Sequence, residues 1–161
     1  MMSSRRELRF DTLDDAVRDV EHLLAVGYEK AGNWDLAQCC GHLADWVAFP
    51  MDGFPRSPLP VRVMMFVMRN TVAPRMARKA MATGVLGDGL PTIPQTVHAP
   101  GGDPAAEVAR FRDTVARFAR YDGPLHPSPL AGAMDKPTVG RLHALHAAHH
   151  LSFLVPKTAG A

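Results

Sequence analysis

The sequence predicts an all-α protein, a helical bundle in one domain spanning residues 1–161, on three observations. Apolar residues recur at spacings of three and four in four separate segments. Polar caps, prolines and glycines bracket those segments, and no stretch carries a convincing period-two strand pattern. A fifth, methionine-rich stretch and two long connections lie between them, which argues against a simple up-down-up-down meander. At 161 residues and 47% hydrophobic, without an internal repeat, the chain is long enough to enclose a full core.

Thr12 is placed to cap the first helix, with Asp14 and Asp15 at its positive end and Leu13, Val17, Val20 and Leu24 along one stripe; the helix stops near Gly27. The second runs from Trp34 to Val47 with Asn33 or Asp35 near its start. Leu36, Cys39, Leu43 and Trp46 surround His42 at helical spacing, which puts that histidine on or beside the buried face. Four prolines and a glycine between Pro50 and Pro60 break any helix there. The stretch from Val61 to Met81 holds five methionines and reads as a helix interrupted around Pro74. Its Met-rich face suits core filling, a lid or a dimer surface, and core filling is the usual use. Gly84 to Gly102 is a Gly- and Pro-rich excursion in which Leu90 to Pro94 is expected to be extended. Asp103 and Pro104 then open a helix through Tyr121, with Val108, Phe111, Val115 and Phe118 on one stripe. Asp135 to Thr138 mark the start of the last helix, which nothing interrupts between Arg141 and Val155.

That last helix holds four of the eight histidines. At about 100° per residue, His143, His146 and His150 share an arc of about 60°, whereas His149 lies to one side. His146 and His150, four residues apart, can bring two ring nitrogens to one cation, but a divalent ion needs at least a third protein ligand. Facing helices of a bundle commonly supply such ligands, so His42 is the expected third. Three neutral imidazoles with water suit Zn, Ni or Fe. His143 could replace His42, but three ligands from one straight helix crowd a small ion, so it is read as supporting the ligands. Cys39 and Asp45, each three residues from His42, are candidates for a fourth ligand or for orienting its ring. Each residue also has a plainer reading: His42 as a hydrogen-bonded core residue, the cluster as a solvated face, Trp34 and Trp46 as core anchors. His22, His98 and His126 are expected to be exposed, and Arg69, Arg75 and Arg78 to lie on a solvated face.

The formal charge of +2 comes without a basic run or an aromatic-interleaved patch, which argues against a nucleic-acid partner and leaves no DNA-reading element for a regulator. The N-terminus lacks an apolar signal core and no stretch reaches membrane-spanning length, so no membrane role is expected. The only cysteines, Cys39 and Cys40, are neighbours that cannot readily bridge each other, which suits a reducing, cytoplasmic setting. No Ser-His-Asp set and no glycine-rich phosphate loop can be argued.

Trp34, Gln38, His42 and Leu43 resemble the Trp-x-x-x-Gln-x-x-x-His-Leu signature in the second helix of the DinB/YfiT-like superfamily, and His146 to His150 resembles its C-terminal His-x-x-x-His. His126-Pro127, Gly140 to His143 and His149 to Leu151 look most like its DUF1569 branch, over nearly the whole chain. The resemblance implies a four-helix bundle with a three-histidine metal centre, often homodimeric, with the ligand roles at His42, His146 and His150. It also implies a small-molecule substrate, in a superfamily of hydrolases and of transferases that use low-molecular-weight thiols. Val139 stands where an aromatic is expected before Gly140, and Ser152, Phe153 and Leu154 replace the usual polar residues; these departures leave the triad intact and alter substrate-side contacts. Two functions follow: a metal-dependent hydrolase or thiol S-transferase, with Asp45 or His143 moving protons, or a non-catalytic bundle that binds metal or a small ligand.

Overall fold

The computed structural model describes residues 4–87 and 92–157, and among these the chain is mostly helical. The helices are α1 (Leu13–Val26), α2 (Leu36–Asp52), α3 (Leu59–Asn70), α4 (Ala73–Thr83), α5 (Pro104–Arg120) and α6 (Lys136–Leu151), with one 3-10 turn at Pro94–Thr96. Strands β1 (Tyr28–Lys30) and β2 (Leu154–Pro156) form a small antiparallel sheet. Residues 88–91, where part of the extended excursion was expected, lie outside the described residues.

The caps do what their chemistry predicts. Thr12 and Asp15 form a reciprocal capping box on α1, and Asp35, not Asn33, does the same on α2 with Gln38. Asp103 opens α5 and Asp135 opens α6, each followed by an early proline. Two helix ends differ from expectation. α2 carries Pro50 within it and continues to Asp52, where the Gly53 N–H closes on the Phe49 carbonyl. The methionine-rich stretch is interrupted close to Pro74 as expected, breaking at Thr71 and Val72 with Pro74 in the first turn of α4. α6 ends at Leu151, because the backbone beyond it is claimed by other partners: the Phe153 carbonyl accepts from Ala31 N–H, and Leu154 to Pro156 pair with Lys30 to Tyr28. Local propensity favours helix through Val155; the sheet ladder overrides it.

α1, α2, α5 and α6 pack against one another. Their buried residues form one core that includes Leu23 of α1, Leu43 of α2, Phe111 of α5 and Leu151 of α6. Burial of each such side chain contributes about 1.5–3 kcal/mol. The stripe Val108, Phe111, Val115 and Phe118 is buried as its spacing predicts. α6 has buried residues around much of its circumference, since α1, α2 and α4 all contact it. Core filling by the methionine-rich stretch is overturned: α3 buries no residue, and α4 buries only Ala73 and Ala80.

Candidate metal centre

Two helices build the centre. α2 carries His42 inward at 1% exposure, and α6 carries His146 and His150 on successive turns of its facing side. The Nε2 atom of His42 lies 3.2 Å from Nε2 of His146, which in turn lies 3.0 Å from Nε2 of His150. One nitrogen from each ring falls within 4.8 Å of the others.

The tautomer of His42 is fixed by its surroundings. Its Nδ1–H donates to the Thr96 carbonyl over 3.1 Å, which leaves the Nε2 lone pair aimed at the other two rings. Three nitrogens held about 2.0–2.1 Å from one ion at tetrahedral angles stand about 3.3–3.4 Å apart. The observed 3.0 and 3.2 Å separations therefore suit a first-row divalent ion.

Electrostatics point the same way. Burial pushes His42 down to about 4, against the opposing pull of the Thr96 carbonyl, and pushes His150 down to about 3, aided by His42. Burial and four neighbouring imidazoles hold His146 well below the ordinary range. All three rings are neutral at pH 7, the form that ligates a metal.

The signature residues act together. Trp34 stacks on His150, with ring centroids 5.1 Å apart and planes 9° from parallel, and meets His42 edge-on at 5.0 Å. Trp46 meets His146 edge-on at 5.5 Å. Gln38 accepts from Asp35 N–H and donates to the His98 carbonyl over 2.8 Å, which ties α2 to the excursion that delivers Thr96. Leu43 is a core residue at 1% exposure.

The triad borders a pocket of about 220 Å³ whose other walls include Trp46, Phe54, His126, Leu142 and His143. Among the described residues no Lys, Arg, Asp or Glu lines it. Trp46, one of its walls, has a buried Nε1–H with no hydrogen-bond partner among the described residues.

The remaining candidates are distributed as follows. His143 borders the pocket beside the triad, its ring 6.3 Å from that of Phe118, and burial lowers it to about 4. Asp45 is held by His98 over 2.8 Å and by Arg110, and reaches His42 only through its field. Cys39 packs in the core, where burial pushes its thiol up to about 12, and Cys40 is buried and free beside it. Among the described residues no Cys, Asp or Glu joins the histidine group. His149, expected to point away, meets His150 edge-on at 5.2 Å and borders the pocket. His22 and His126 are exposed, whereas His98 is half-buried against Asp45. Arg69, Arg75 and Arg78 are exposed, and none borders the pocket.

The Thr96 carbonyl and the place of the exposed His126 on the pocket wall escaped the sequence reading. A backbone carbonyl carries no side-chain signal, and a loop histidine 84 residues from His42 in sequence reaches the pocket only through the fold, anchored by its N–H to the Pro50 carbonyl.

Among the described residues no helix is long and apolar enough to cross a membrane. No curated protein and no solved structure matches the chain. The model of one family, described as protein of unknown function (DUF1569), matches residues 2–157. That span covers the capping boxes, both tryptophans and the histidine triad, so the chain belongs to the DUF1569 family.

Proposed function

We propose that this protein is a metal-dependent enzyme of the DinB/YfiT-like kind, a four-helix bundle in which His42, His146 and His150 hold one divalent ion, Zn, Ni or Fe. The observation that carries this reading is the convergence of three neutral imidazoles at the wall of an apolar pocket, with no fourth protein ligand among the described residues. A structural site is closed by four protein ligands, whereas a catalytic one keeps a position for water or substrate. That contrast disfavours the alternative of a non-catalytic metal-binding bundle.

When bound, such an ion activates water for hydrolysis or a low-molecular-weight thiol for transfer to an electrophile. The chain's own residues then have separable tasks. Trp34 and the Thr96 carbonyl orient the ligand rings, and Trp46 and Phe54 exclude water and receive an uncharged, largely apolar substrate. His143, held neutral by burial and beside the triad, offers a substrate an uncharged hydrogen-bonding ring. Asp45, engaged by His98 and Arg110, serves to position α2. The free, buried cysteines fit a cytoplasmic protein.

Metal analysis of the purified protein tests the centre. Wild type incubated with Zn, Ni or Fe is expected to retain one equivalent, and His42→Ala, His146→Ala and His150→Ala much less. Equal trace amounts in all four would sink the reading. Activity is then sought by following thiol consumption or ester hydrolysis across a panel of uncharged electrophiles; turnover by the His146→Ala variant equal to wild type would remove the ion from the chemistry.

A further inference from the structure

We propose that α3 and the groove beside it form a docking surface for an anionic lipid bilayer. Leu59, Val63, Phe66 and Val67 recur at i, i+4, i+7 and i+8, so they share one face, and they are 68, 55, 62 and 53% exposed. No residue of α3 is buried, and this stripe is left more than half exposed among the described residues. Arg62 and Arg69, seven residues apart, flank the stripe on one side and are exposed. With Arg56 they border a groove of about 840 Å³ whose apolar walls include Phe54, Met65 and Phe66.

Charge selects the occupant. Residues 53–87 contain Arg56, Arg62, Arg69, Arg75, Arg78 and Lys79 and no Asp or Glu, in a chain whose formal charge is only +2. A second copy docked across a two-fold axis would set this cationic surface against itself. An anionic bilayer supplies the opposite sign, and its acyl layer takes Phe66 and its neighbours while the arginine heads stay at the headgroups. The helix lies on the surface and does not cross it, in keeping with its 12-residue length. Phe54 lines both this groove and the metal pocket, so the two cavities meet at one ring.

The test is cosedimentation of the whole protein with vesicles of phosphatidylcholine alone or mixed with phosphatidylserine. Partitioning is expected to rise about tenfold or more with phosphatidylserine and to fall on adding salt. Phe66→Ser and the pair Arg62→Glu/Arg69→Glu, all at exposed positions, are each expected to lose most of that binding at unchanged metal content and helicity. Partitioning that ignores phosphatidylserine, or variants that bind like wild type, would overturn the proposal. So would a dimer in sedimentation equilibrium that Phe66→Ser dissolves, since a second copy would then occupy the face.

Discussion

A buried neutral imidazole is a liability in acid, and His143 isolates the effect because it borders the pocket beside the triad without belonging to it. Its pKa falls from the ordinary 6.5 to about 4 on burial. Between those values the unfolded chain binds a proton that the folded chain refuses, so stability is complete above pH 6.5 and declines as pH falls towards 4. The loss is on the order of 3 kcal/mol for this residue, and metal-free His42 and His150 add losses of the same sign. Urea unfolding in chelator at a series of pH values should show it, and His143→Leu should make the decline shallower. An unchanged slope would mean that the ring is hydrated in the folded protein.

At the scale of elements, α2 is tied at its N-terminus to the excursion that carries Thr96. One carboxylate oxygen of Asp35 caps the helix while the other accepts from Gly101 N–H over 2.9 Å. Asp35→Ala is expected to lower stability by about 1–2 kcal/mol, read from chemical denaturation. Gln38→Ala should act differently: it frees the segment that bonds His42 Nδ1, so metal Kd should rise about tenfold with little change in helicity, as for other residues that orient a ligand. Metal titration by calorimetry distinguishes the two. In α5, Phe111 is fully buried in the core, and Phe111→Ala should cost about 3–5 kcal/mol by leaving a cavity.

On the scale of the whole molecule, the triad joins helices 104 residues apart in sequence, so binding an ion is also a statement about the fold. Metal at about a hundredfold its Kd should stabilise the folded state by about 2.7 kcal/mol. For a chain of this size that is a rise in Tm of roughly 5–10 °C. His146→Ala should show no such rise; a metal-dependent shift that persists in it would place the binding elsewhere. The helix starts and the α5 stripe were legible in the chain because caps and periodicity are local. The meeting of His42 with His146 and His150 was legible in part: the four-residue spacing joins the last two, while His143 stayed open as the third member until the fold brought His42 against them. The end of α6 was not legible, since Leu154 to Pro156 have their helical propensity overruled by β1. Nor was the fate of α3, whose apolar residues look like core until the packing of α1, α2, α5 and α6 leaves no room for them. Caps, helical periodicity and the four-residue spacing of His146 and His150 could be read from the chain alone, because backbone hydrogen bonding and side-chain spacing are fixed within a few residues. Only the tertiary structure decided which lone pairs converge, which carbonyl orients them and which apolar face stays in water, because those depend on groups brought together from distant parts of the chain.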